Sequence, residues 1–172
     1  LELKTAQRSR PEGLGRLAYT KIIAHRGSRG TRPENTLESF QEALKVASDG
    51  IELDVHLTKD GEVVVIHDET VDRTTSGKGY VKEMTLEQLK KLDAGSWFDP
   101  KYSNARIPTL QEVLTLLAEN HFSGVLNVEL KTDVFQYPAI EEKVLALAEP
   151  YLAQFSVIYS SFHYETLKKI KD

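Results

Sequence analysis

Two histidines, His25 and His67, each close an apolar run, "KIIAH" and "EVVVIH", and each is followed by a charged residue, Arg26 or Asp68. Imidazole titrates near neutrality, so such a pair could serve as general acid and general base across one scissile bond. Glu52 and Asp54 alternate with Ile51, Leu53 and Val55, and Glu129 and Lys131 alternate with Val128 and Leu130. Three carboxylates, Glu52, Asp54 and Glu129, converging in a chain without cysteine favour one hard divalent cation, Mg2+ or Ca2+, because these ions take oxygen ligands. Arg26, as a bidentate fork, and Lys131, as a point charge, suit an anionic group. Metal, paired histidines and two cations together describe phosphoryl-ester chemistry. A glycosidase would need only two carboxylates, and no G-x-S-x-G nucleophile turn occurs.

Each feature also has a plainer explanation. The run 50–57 could be a half-exposed strand whose polar face meets water, a histidine at a strand end is often structural, and Arg26 and Lys131 could simply pair with nearby acids. The chemical reading gains because the run 125–131 repeats the acidic alternation in a fold whose sheet should be covered on both faces. His56 is expected either in solvent or in support of the acids beside it, and His121 on the surface. His163 falls just after a strand. "GSRG" and "SGKG" lack the spacing of a phosphate-binding loop.

The elements that must position these residues follow from periodicity. "KIIAH" reads as a buried strand, and Asn35 is a plausible N-cap, with Glu38 three residues on, for a helix carrying Leu37, Phe40, Leu44 and Ala47 on one side. Residues 50–57 and "EVVVIHD" are strands joined by Thr58, Lys59, Asp60 and Gly61, too short a link for a parallel crossover, so the pair must be antiparallel. With Asp60 and Gly61 as a two-residue loop, Asp54 falls opposite His67, which would set their Cβ atoms about 5 Å apart. Residues 69–108 are a loop-rich excursion with a short helix at Thr85, whose Gln88 completes a capping box; Thr109 with Glu112 repeats the device. A strand at "GVLNVELKT", a helix over 139–147 and a strand at "FSVIYSSF" follow, and "YETLKKIKD" opens a last helix. The alternation predicts about four βα units of a mostly parallel α/β fold, half of what a (β/α)8 barrel uses, or else a smaller open sheet.

The bulk numbers agree with a single globular domain: 172 residues, 40% hydrophobic and 28% charged, with a net charge of −4. The negative charge argues against nucleic acid as a partner. No apolar run approaches the roughly 20 residues that cross a bilayer. The absence of cysteine decides nothing about compartment; a cytoplasmic location is the default expectation, with secretion left open. Oligomeric state is also left open. Residues 1–20 are polar and basic without clear periodicity, and read as a poorly ordered leader or tail.

Five stretches, "AHRGSRGTRPENTLESF", "DGIELDVHLTKDGEVVVIHDETVDRTTSGKG", "LKKLDAGSWFDPKY", "RIPTLQEVL" and "NVELKT", occur in order and resemble the successive signatures of the glycerophosphodiester phosphodiesterase family. The resemblance implies a TIM (β/α)8 barrel of the phospholipase C-like phosphodiesterase type, with about the first half of it in residues 21–172 and an insertion at about 69–108. It implies metal-dependent hydrolysis of small glycerophosphodiesters to sn-glycerol 3-phosphate and an alcohol. By position, Glu52, Asp54 and Glu129 would hold the metal and His25 and His67 would be acid and base. Arg26 and Lys131 would bind phosphate, while Glu34 and Asn35 would line the glycerol end. Arg29 and Arg32 depart from the pattern; they either draw anionic head groups or are solvated. A catalytically inactive half-barrel serving as an interaction module, and a phosphodiesterase acting on lysophospholipids, are the alternatives. A half-barrel would have an unpaired sheet edge and should not be stable alone.

Overall fold

The computed structural model describes residues 20–171. The leader expected at 1–20 therefore lies, apart from Thr20, outside the described residues. Five strands form one sheet: β1 (Ile23–His25), β2 (Gly50–Leu57), β3 (Val63–Val65), β4 (Val125–Leu130) and β5 (Ser156–Ser160). Their order is β1-β2-β4-β5, all parallel, with β3 pairing antiparallel to β2. Helices α1 (Leu37–Lys45), α3 (Leu110–Glu119) and α4 (Ile140–Ala148) fill the links between parallel neighbours; α2 (Leu86–Lys90) lies in the excursion and α5 (Tyr164–Lys171) follows β5. No helix among the described residues is long and apolar enough to cross a membrane.

Strand β2 is buried along its whole length, which its alternation explains. Ile51, Leu53 and Val55 join Leu126, Val128 and Leu130 of β4 in one apolar cluster with Phe40 and Ala43 of α1, Val113, Leu114 and Leu117 of α3, and Ile140 and Val144 of α4. That removal of apolar surface from water anchors the helices to one side of the sheet. The alternate residues Glu52, Asp54 and His56 are left for the other side. The excursion builds a smaller cluster, Val71, Val81, Leu89, Ala94 and Ile107 against Val64 and Ile66.

Local signals within a helix's first turn are borne out: Thr85 and Thr109 cap α2 and α3, with Gln88 and Glu112 closing the boxes. The first cap is different. Thr36, not Asn35, caps α1, and Ser39 rather than Glu38 closes its box. Asn35 has φ +54°, outside the extended conformation of an N-cap, and its side chain is spent elsewhere. Ala47 falls beyond the helix, at φ +55°.

The hairpin is antiparallel as expected, but its register differs by one. Val55 pairs with Val65 and Leu57 with Val63, because the loop has three residues, Lys59 to Gly61. Gly61 sits at φ +82° and donates its N–H to the Thr58 carbonyl at 3.0 Å. A left-handed glycine ending a three-residue loop is a standard hairpin closure. Asp54 consequently accepts the Ile66 N–H, at 3.0 Å, on its own carbonyl, and His67 is not its directly opposed partner. Arg32 also departs from expectation: it is half-buried and donates to Glu42 at 2.8 Å, whereas Arg29 is exposed.

Candidate active site

Parallel register brings the acids together. Glu52 pairs with Asn127 and Asp54 with Glu129 across β2 and β4, while His25 at the end of β1 pairs with Glu52. Carboxylate oxygens of Glu52, Asp54 and Glu129 lie within 4.8 Å of one another. Burial, followed by the charge of Asp54, pushes the Glu52 carboxyl up to about 7. Asp54 is raised as well, again chiefly by burial, against the opposing effect of its hydrogen bond from Asn35. Glu52 Oε1 is a buried oxygen with no hydrogen-bond partner. Repelling acids, an orphaned oxygen and an all-oxygen donor set fit a hard divalent cation.

The turn after β1 is built around Glu52. Arg26 takes φ +56°, a conformation costing a non-glycine residue about 1 kcal/mol, and its N–H donates to Glu52 Oε2 at 2.8 Å. Gly27 follows at φ +71°, and a Cβ there would stand 2.4 Å from Ser39 Oγ. Glycine is required at this position by both conformation and space. Folded this way, Arg26 sends Nη1 to Glu34 Oε1 at 2.9 Å and brings Nε to 3.5 Å from Asp54 Oδ2. Buried Asn35 donates Nδ2–H to Asp54 Oδ2 at 2.9 Å.

His25 is half-exposed, its Nε2 3.7 Å from Glu52 Oε2. Partial burial, then the charges of Arg26 and Arg29, lower its pKa. His67 lies past the end of β3, lining one small pocket with Glu34 and Asn35, and its Nδ1 stands 2.6 Å from Asp68 Oδ1. Lys131, buried just beyond β4, donates to Glu129 Oε1 at 3.0 Å. Burial is the largest single influence and opposes its charge, but that hydrogen bond and the charges of Glu129, Asp54 and Asp133 together raise its pKa. All nine residues singled out in the sequence therefore belong to one region of the fold, on β1, β2 and β4 and in the segments that follow β1, β3 and β4.

His56 is not solvated. It is fully buried, with Nε2 3.1 Å from the His67 carbonyl and Nδ1 2.8 Å from the Tyr137 hydroxyl. A carbonyl only accepts, so Nε2 carries the proton and Tyr137 donates to Nδ1. Burial drives the His56 pKa down to about 4, so the ring is neutral. His121 is exposed as expected. Sequence reasoning missed Tyr137 and Arg73. Arg73 lies in the "DRTT" stretch and reaches back 39 positions to Glu34, a separation that leaves no local signal.

Known proteins resemble this chain over most of its described length. The profile of the "Glycerophosphoryl diester phosphodiesterase family" matches residues 25–172. A glycerophosphodiester phosphodiesterase of Caldanaerobacter subterraneus is 51% identical over 152 residues, which cover 88% of this chain and 62% of that protein. A crystal structure of glycerophosphodiester phosphodiesterase from Agrobacterium tumefaciens superposes with a TM-score of 0.78 at 38% identity, covering 89% of this chain and 62% of that one. A phosphodiesterase of Oleispira antarctica, solved in complex with the product sn-glycerol-3-phosphate, gives 0.76 at 38% identity, with 88% and 61% covered. The chain thus spans about 60% of the length of the relatives it matches. The parallel sheet and its helices are part of a TIM barrel of that type, and the chain belongs to the glycerophosphoryl diester phosphodiesterase family.

Proposed function

We propose that the protein hydrolyses glycerophosphodiesters to sn-glycerol 3-phosphate and an alcohol, with one Mg2+ or Ca2+ held by Glu52, Asp54 and Glu129. The observation that carries this reading is the convergence of three carboxylates, two of them buried and Glu129 half-buried, with two histidines and two cationic side chains beside one sheet. The relatives' names and the product-bound Oleispira structure support the substrate class. Bound there, the cation would supply Lewis-acid polarisation of a phosphoryl oxygen.

This chain's own groups would do the rest. Arg26 and Lys131 meet the phosphoryl oxygens, and Glu34 and Asn35 shape the glycerol end. His67, its Nδ1–H committed to Asp68, offers the Nε2 lone pair to the proton of the attacking hydroxyl or water. His25 protonates the departing alkoxide; a lowered pKa makes its imidazolium a readier donor. The test is a coupled assay of glycerol 3-phosphate released from glycerophosphocholine, with and without EDTA. EDTA-sensitive product is expected, and its absence would remove the enzymatic reading. Parallel reactions with lysophospholipids distinguish the substrate alternatives.

A further inference from the structure

Arg73 has no role in the chemistry described so far, yet its guanidinium is satisfied on both sides. Nε and one terminal nitrogen donate to Asp68, at 2.8 Å to Oδ2 and 3.0 Å to Oδ1. The two terminal nitrogens also donate to Glu34, at 2.8 Å to Oε1 and 3.1 Å to Oε2. Glu34 Oε1 is the atom that accepts from Arg26, and Asp68 Oδ1 is the atom that meets His67 Nδ1. A continuous line of charge-assisted contacts therefore runs from His67 through Asp68, Arg73 and Glu34 to Arg26. Arg73 enters it from the excursion, two residues after Val71, which is fully buried in the smaller apolar cluster.

We propose that Arg73 is a positioning residue: it fixes the Asp68 carboxylate so that His67 keeps its proton on Nδ1 and turns the Nε2 lone pair toward the substrate. The proposal rests on the phosphodiesterase reading for its kinetic consequence, but the tautomer of His67 is a property of the protein alone. An ionised carboxylate can only accept, so the His67–Asp68 contact requires Nδ1–H. The Arg73 hydrogen bonds, ahead of the opposing effect of burial, keep Asp68 down to about 2. Without the guanidinium, Asp68 and Glu34 would lose their shared cation, and Asp68 would be free to rotate into solvent. A lysine places one compact charge and cannot fork to both carboxylates. Side-chain exposure of Arg73 is 44%, so the contribution to global stability should be small while the effect on the histidine is large.

The experiment compares wild type, R73Q and R73K in two measurements. Long-range proton–nitrogen spectra of the metal-free protein report the imidazole tautomers, and a His67→Gln spectrum identifies the His67 signals. The kinetic arm measures kcat and KM for glycerophosphocholine. R73Q is expected to shift His67 from the Nδ1–H form to a mixture and to lower kcat about 10–100-fold, as loss of an orienting partner does at other sites, with KM within about threefold. R73K should recover only part of the loss, and melting temperatures should stay within about 3 °C of wild type. Should R73Q fail to fold, D68N breaks the same line from the other side and should show the same tautomer change. An unaltered His67 spectrum in R73Q overturns the proposal even where wild type is active. An altered spectrum in a protein without phosphodiesterase activity supports the positioning of His67 and removes only the functional reading beneath it.

Discussion

Asp54 and Glu129 occupy directly paired positions on adjacent parallel strands, β2 and β4, and Glu52 stands two residues before Asp54 on the same face. Parallel pairing of this kind leaves three acids no means of separating, so their repulsion is built into the sheet. Glu52→Gln should therefore stabilise the metal-free protein at pH 8, by about 2 kcal/mol, because a carboxyl raised to about 7 in the fold from 4.5 is strained whenever ionised. Urea unfolding in EDTA measures this; a loss of stability would mean that the Arg26 N–H contact to Glu52 outweighs the repulsion. The same variant should lose at least tenfold in Mg2+ or Ca2+ affinity, about 1.4 kcal/mol, by calorimetry.

The pH dependence of metal binding follows from the same carboxyl. Stability from Glu52 is fully present below pH 4.5 and is lost as pH rises through about 7 in the absence of a cation. A cation reverses the demand, since it needs the ionised form. Affinity should thus fall by up to about tenfold per pH unit below 7 and level off above it. A titration that is flat between pH 5.5 and 8 would exclude Glu52 as a ligand.

His56 predicts an acid transition of the fold itself. Its pKa is about 4 folded against 6.5 unfolded, so the unfolded chain binds more protons between those values. Stability from this group is complete above pH 6.5 and is lost as pH falls through about 4, amounting to roughly 3 kcal/mol. Tyr137→Phe removes the donor to Nδ1 and should cost about 1–2 kcal/mol at pH 7.5. Unfolding curves at pH 7.5 and 5 for both proteins supply the comparison.

His67→Ala should lower turnover by at least about 100-fold while leaving divalent-ion affinity within threefold, because His67 stands outside the acidic trio. Near-normal turnover would refute its assignment as the base.

Gly27→Ala should cost upwards of about 2 kcal/mol and depress activity together with stability, since both φ +71° and the 2.4 Å approach to Ser39 forbid a Cβ. A stable, active variant would show that the turn can reopen without displacing Arg26.

What the sequence disclosed depended on range. Capping boxes at Thr85 and Thr109, the alternation of β2 and the antiparallel sense of the hairpin are written within a few residues, and each is found in the fold. The hairpin register was not legible, because whether Gly61 closes a two- or a three-residue loop depends on the backbone around it. Asn35 has the side-chain type of a cap, but a buried carboxylate 19 positions away competes for it and wins. His56 is compatible in the sequence with solvent or with support of the neighbouring acids, because nothing nearby announces Tyr137, 81 positions away. Arg73 gives no local sign of its role, because a charged residue in a polar loop looks solvated until Glu34 and Asp68 stand on either side of it.

β2 is flanked by β1, β3 and β4, and it carries two of the three acids. His25, Arg26, His67, Arg73 and Lys131 instead sit on strand ends and the segments beyond them. The ion would rest on a strand paired along both edges, while the groups proposed to handle protons and phosphate sit at its rim. Side chains on that rim can change rotamer without disturbing the ladder that fixes Glu52, Asp54 and Glu129.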